Sequence, residues 1–145
     1  RAVRVEVPRG ADDGRPYAGG MFQISVHAEF CAAHALVIGG QRETLHGHNW
    51  RVTAIVAGET LDNDGLLCDF HTVEGTLKQI IEPFQNANLN DTPEFGRLNP
   101  SAENVARHIA ERLHEALDEA LAPHAAVERV SVTEAPGCVA TFILK

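Results

Sequence analysis

Long apolar runs are missing from this chain of 145 residues, and with them the membrane-spanning helices: nothing approaches the roughly 20 uninterrupted apolar residues such a helix needs. Cysteine is scarce. Cys31, Cys68 and Cys138 are odd in number and lack paired spacing, which argues against a disulfide-stapled scaffold and for free thiols in a reducing compartment. Basic residues are few, 12 Lys and Arg against 20 Asp and Glu for a formal net charge of −8, and they do not cluster. A nucleic-acid partner, which needs a positive patch for its phosphates, is not expected. The N-terminal stretch lacks the apolar segment of a secretory signal, so the expected location is the cytoplasm. What is present is 44% hydrophobic residues, enough for one soluble domain with its own core.

The most informative stretch is Leu45-His46-Gly47-His48-Asn49-Trp50, at the mouth of an alternating run that continues to Val56. Side chains in a strand repeat with period two, so His46 and His48 share a face with Trp50, Val52, Ala54 and Val56, the apolar face. Both imidazoles are therefore expected to point inward, roughly 6 to 7 Å apart at Cα. A third histidine repeats the pattern. Phe22, Ile24, Val26, Ala28, Phe30 and Ala32 form an alternating apolar row that ends in His34. Three inward neutral imidazoles are costly in a core, and one shared cation would satisfy all of them. Imidazole nitrogens suit Zn2+, and three protein ligands with an open fourth position is the catalytic arrangement.

In chain order, residues 1–20 read as an N-terminal arm and turn-rich linker with one short alternating piece, Ala2 to Val7. Residues 21–145 read as the folded domain. Gly39-Gly40 marks the turn between the first two long strands, which brings His34 close to His46 and His48 at one end of a sheet. Thr72 is expected to cap a helix whose face carries Val73, Leu77, Ile80, Ile81 and Phe84, with Pro83 ending or kinking it. A second helix near Pro100 carries Val105, Ile109, Leu113, Leu117 and Leu121 on one stripe. His108, His114 and His124 are expected at the surface. The last segment reads as a hairpin around Ala135-Pro136-Gly137, with Glu134 on the apolar side of its first strand. The order of elements predicts an α+β domain, a four-stranded antiparallel sheet with two helices on one face.

The set Phe30-Cys31-Ala32-Ala33-His34, Leu45-His46-Gly47-His48-Asn49, Cys68-Asp69-Phe70, Leu89-Asn90-Asp91, Asn99-Pro100-Ser101-Ala102-Glu103-Asn104 and Val132-Thr133-Glu134 resembles the 6-pyruvoyl-tetrahydropterin and 6-carboxytetrahydropterin synthase family. The motifs occur in the family's order, from about Met21 to the end. The resemblance implies the T-fold, whose sheets close into trimers and stack as hexamers. It implies zinc on His34, His46 and His48, a pterin held at its 2-amino-4-oxo edge by Glu134, and help from Ser101 in holding that ring. An inward carboxylate needs such a partner, although an arginine or a helix N-terminus would also serve.

The sequence departs from the family at the reactive groups. Arg42 stands where the synthases carry a cysteine four residues before His-Gly-His, and Gln85-Asn86 stand where they carry Asp-His. Glu43, three residues before His46, resembles instead the subfamily in which a glutamate replaces that cysteine and dihydroneopterin is cleaved by a retro-aldol reaction. Glu43 is then the expected base, an exposed turn residue being the other reading; His71, Cys31 and Cys68 are further candidates for proton transfer. Two functions follow. One is a zinc-dependent pterin lyase acting on dihydroneopterin or its triphosphate by retro-aldol or elimination chemistry. The other is a pterin-binding protein that keeps the metal and the pocket but has lost the synthase reaction.

Overall fold

Two long strands set the frame of the computed structural model, which describes residues 19–145. The alternating piece from Ala2 to Val7 lies outside the described residues. In chain order the elements are β1 (Phe22–His34), β2 (Val37–Ile38), β3 (Gln41–Arg42), β4 (His46–Gly58), α1 (Phe70–Ile81), β5 (Ala87–Asn88), α2 (Ala102–Leu121), β6 (Ala126–Ala135) and β7 (Cys138–Ile143). β1 and β4 pair antiparallel along their whole length, from Phe22 opposite Gly58 to His34 opposite His46. β6 adds to β4, and β7 folds back on β6. Gly137, with φ of 81°, supplies the left-handed backbone that this tight turn needs.

The α+β class and the four long antiparallel strands are as expected. The sheet has a fifth member, since β5 adds two residues parallel to β1 at Ala32–Ala33, giving the order β5-β1-β4-β6-β7. A separate two-stranded ribbon, β2 with β3, turns through Gly39 and Gly40, both at positive φ. Two residues are too short for an alternating pattern to reveal them.

Both helices pack on one face of the sheet, α1 against β1 and α2 against β6 and β7. The helix-facing rows of the strands supply Val26, Phe30, Trp50, Val52, Ala54, Val130 and Val132, all buried. Against them α2 buries Val105, Ile109, Leu113, Leu117 and Leu121, the stripe that recurs every four residues. Trp50 is fully buried, stacks on Phe30 with ring planes 4° apart, and donates its indole N–H to Ala32 O at 3.1 Å.

Two local expectations are corrected. α1 starts at Phe70 and its N-cap is Asp69, not Thr72, because the Asp69 carboxylate reaches the His71 N–H at 2.8 Å. His108 is not a surface residue: it is half-buried, with its ring 5.7 Å from those of Phe84 and Phe95. His114 and His124 are exposed as expected.

Candidate metal centre

The register of β1 on β4 sets His34 directly opposite His46, and His48 opposite Ala32, one step inward on the same face. The three rings form a near-equilateral group with centroids 4.8, 5.0 and 4.9 Å apart. One nitrogen from each lies within 4.8 Å of the other two, a set able to hold a metal ion. Burial falls off along the group: His34 is 1% exposed, His48 half-buried and His46 exposed. All three rings share one face of the β1–β4 pair as expected, with His46, the outermost, exposed to solvent.

Backbone carbonyls set the tautomers. His34 Nδ1–H donates to Pro100 O at 2.7 Å and His46 Nδ1–H to Thr44 O at 2.8 Å, and a carbonyl can only accept. Each Nε2 is left with a lone pair, the arrangement that orients metal-binding histidines. Nε2 of His34 and Nε2 of His48 are both buried without a hydrogen-bond partner. Leaving such atoms unsatisfied costs about 1–3 kcal/mol each, which a bound cation would remove. The donor set therefore fits zinc, with three imidazoles and room for a fourth ligand. Burial holds His48 below the usual imidazole pKa, the Glu134 carboxylate opposes this, and the neighbouring His34 and His46 add to the lowering.

Glu134 reaches the centre from the end of β6. It shares the face of Val130 and Val132, as its parity predicts, and the pairing of β6 with β7 shifts register between Thr133 and Ala135, leaving Glu134 as the extra residue of a bulge. Its Oε2 lies 3.7 Å from His34 Nε2, with 28% of the side chain exposed. No lysine or arginine pairs with it among the described residues.

Glu43 is held, not loose. Its Oε2 accepts the Leu36 N–H at 3.0 Å while its own N–H donates to Leu36 O at 2.8 Å, and the half-buried carboxylate is close enough for its charge to act on His48. Ser101 is the N-cap of α2, its Oγ accepting from Asn104 N–H at 3.3 Å. It follows Pro100, the residue that fixes His34, and its hydroxyl proton remains free to donate.

The other candidates fall elsewhere. Cys31 lies on the face opposite the histidines with Sγ 3.0 Å from Asn49 Oδ1, and His71 is exposed beside Asp69. Cys68 is half-buried, and burial first, then the Asp69 charge, pushes its thiol pKa up. Gln85 and Asn86 are tied to Cys31, through its N–H at 3.2 Å and its carbonyl at 2.6 Å.

Sequence reasoning missed two positioning residues. The Asn90 amide clasps both the N–H and the carbonyl of Ala35, at 2.8 and 2.7 Å, and Asn99 does the same for Val37, at 2.9 Å each. Both stood inside recognised motifs. Their partners, more than fifty residues away, gave no local signal.

Residues 23–143 match the family described as 6-pyruvoyl tetrahydropterin synthase. The chain is similar to the dihydroneopterin monophosphate aldolase of Pyrococcus furiosus, 33% identical over 95 residues that cover 66% of this chain and 77% of that one. It is also similar to the 6-carboxy-5,6,7,8-tetrahydropterin synthase of Bacillus subtilis, 27% identical over 135 residues covering 88% and 80%. In fold it is similar to the 6-pyruvoyl tetrahydropterin synthase of Caenorhabditis elegans, with a TM-score of 0.74 at 19% identity over 87% of this chain and 97% of that one. A Plasmodium vivax 6-pyruvoyltetrahydropterin synthase in which a catalytic glutamate is replaced by alanine gives a TM-score of 0.71 at 21% identity over 85% and 97%. The architecture is the T-fold of those enzymes. Sequence and fold agree, and the chain belongs to the 6-pyruvoyl tetrahydropterin synthase family.

Proposed function

We propose that this protein is a zinc-dependent pterin lyase, which cleaves the side chain of dihydroneopterin or a phosphate ester of it by a retro-aldol reaction with Glu43 as base. The observation that carries this reading is the anchoring of Glu43: its Oε2 accepts the Leu36 N–H, its charge acts on His48, and Oε1 is left as the proton acceptor. His34, His46 and His48 would hold the zinc, which when bound supplies a Lewis acid that lowers the pKa of the substrate's side-chain hydroxyls. Glu134 accepts two parallel hydrogen bonds from the amino group and ring N–H of the pterin edge, and the Ser101 hydroxyl helps hold the same ring.

Glu43 Oε1 takes the proton of the second side-chain hydroxyl. The bond between the first and second side-chain carbons then breaks, its electron pair enters the conjugated ring imine, and a proton returns to the first carbon. The products are 6-hydroxymethyl-dihydropterin and a two-carbon aldehyde. The aldolase name of the Pyrococcus relative and the catalytic glutamate of the Plasmodium protein support a glutamate-based cleavage.

The working form is a trimer or hexamer in the cytoplasm. Among the described residues, the outer side of β1 has no strand beside it apart from β5 at Ala32–Ala33, and β7 is the other edge, with Val139 and Ile143 exposed. Light scattering should report an oligomer at micromolar concentration, and a monomer would contradict this.

The decisive assay incubates zinc-loaded protein with dihydroneopterin and with its monophosphate and detects products by mass. Glu43→Gln should lower turnover by about a hundredfold or more while zinc content is kept. A wild type that binds pterin but forms no product would favour the second reading, a pterin binder, for which the replacement of Asp-His by Gln85 and Asn86 is the supporting observation.

A further inference from the structure

Asn104 is the third residue of α2, a place where a side chain serves the helix by accepting hydrogen bonds from its free N–H groups. Its own N–H is already taken by Ser101 Oγ, at 3.3 Å. The side chain does the reverse of what the helix needs. Its half-buried amide donates through Nδ2, at 2.8 Å, to the carbonyl of Asn99, two residues before the N-cap. Helix stability leaves this bond unexplained.

Chain geometry supplies a reason for it. The Asn99 carbonyl lies in one rigid plane with the nitrogen and Cα of Pro100, and the proline ring fixes the next torsion at about −65°. Holding that carbonyl therefore leaves a single soft torsion before the carbonyl of Pro100. The Pro100 carbonyl accepts the Nδ1–H of the buried His34 at 2.7 Å and leaves Nε2 free for a metal. The Asn99 amide holds the far end of the same stretch, accepting the Val37 N–H and donating to the Val37 carbonyl at 2.9 Å each. Residues 34–37 are thus bonded at both ends to the Asn99–Pro100 unit, and Leu36 between them is bonded to Glu43 at 3.0 Å. The anchor of that unit is firm, because Val105 and Ala106, directly after Asn104, are fully buried.

We propose that Asn104 is a positioning residue for the metal centre, which ties the Pro100 carbonyl, and through it the His34 ring, to the buried start of α2. The inference rests on the reading of His34, His46 and His48 as a metal site and is independent of which pterin is bound. A ring held in one orientation before the metal arrives gives up less freedom on binding, so the tie raises metal affinity.

Asn104→Asp and Asn104→Ala both remove the donor without harming the helix, since an acid is favourable in the first turn and alanine is the best helix former. Zinc affinity, measured by competition with a chromophoric chelator, should fall about tenfold in both. In the metal-free variants the His34 Nδ1–H resonance should move, while urea midpoints stay at or above the wild-type value. Wild-type zinc affinity or an unmoved His34 resonance in either variant overturns the inference. So does a loss of zinc affinity that comes with a lowered urea midpoint, the result a purely structural residue would give. If the wild type binds no zinc, the metal reading fails, and the His34 resonance alone decides: a shift in both variants supports the tie, and an unmoved resonance in either overturns it.

Discussion

At the end of the sheet His34 and His48 lie edge-on to Trp50, with ring centroids 5.0 and 5.7 Å away, while on the helix layer His108 lies against Phe84 and Phe95 at 5.7 Å from each. Burial lowers the pKa of both His48 and His108. By aromatic company and by proton affinity the two regions look alike. They differ in what the free nitrogens face. At the sheet end two rings are turned by carbonyls and three nitrogens converge, whereas His108 is a single ring in a cleft between α1 and α2, beside Glu94 and Arg112. Convergence of lone pairs therefore marks a site, while a buried imidazole alone marks packing.

The comparison breaks most visibly through metal content. Protein purified without chelator should carry about one zinc per chain. His48→Ala should lose most of it and His108→Ala should keep all of it, as measured by elemental analysis. Full zinc in His48→Ala would remove the distinction between the two regions.

Next in size is Glu134→Gln, which keeps the shape of the site but aims a donor at the donors of a pterin edge. The expected loss is roughly 2 to 4 kcal/mol of pterin binding, about thirty-fold to several hundred-fold in affinity, at unchanged zinc content. Fluorescence quenching checks it, and equal affinities would make Glu134 a structural residue of the β6–β7 bulge.

Ser101→Ala sharpens the link between helix and metal. Losing the N-cap of α2 should cost about 1 kcal/mol in urea unfolding. A concurrent fall in pterin affinity would show that the same hydroxyl serves ring and helix.

The smallest effect belongs to His108. A histidine whose pKa falls on folding binds fewer protons folded than unfolded, so its contribution is complete above the unfolded value, about 6.5, and declines as the pH drops below it. Apo-protein should lose stability between pH 7 and pH 5, and His108→Leu should flatten part of that decline in denaturant titrations. An identical decline in both would mean that His108 is hydrated in solution.

Much of the frame was legible from periodicity. Alternation from Phe22 to His34 and from His46 to Val56 anticipated the two long strands and the face shared by three histidines. The four-residue recurrence from Val105 to Leu121 anticipated α2, and Ala135-Pro136-Gly137 the last turn. These patterns are local, so a single strand or helix displays them without its neighbours. The start of α1 was misread because Asp69 and Thr72 both carry capping side chains, and only the bond from His71 N–H tells them apart.

The sequence by itself determined which face of each strand is apolar, that three imidazoles stand in phase with it, and which family motifs occur in which order, because alternation and motif order are both written along the chain. Only the tertiary structure decided how His34 meets His46, since register is set by pairing across the sheet. It alone showed that Pro100, sixty-six residues from His34, frees that ring's Nε2, that the β6–β7 ladder carries a bulge at Glu134, and that Arg42 and Arg97 line one pocket between the β2–β3 ribbon and the loop 90–99. Such contacts join positions far apart in the chain, and no local period records which carbonyl, bulge or cation will arrive from the other side.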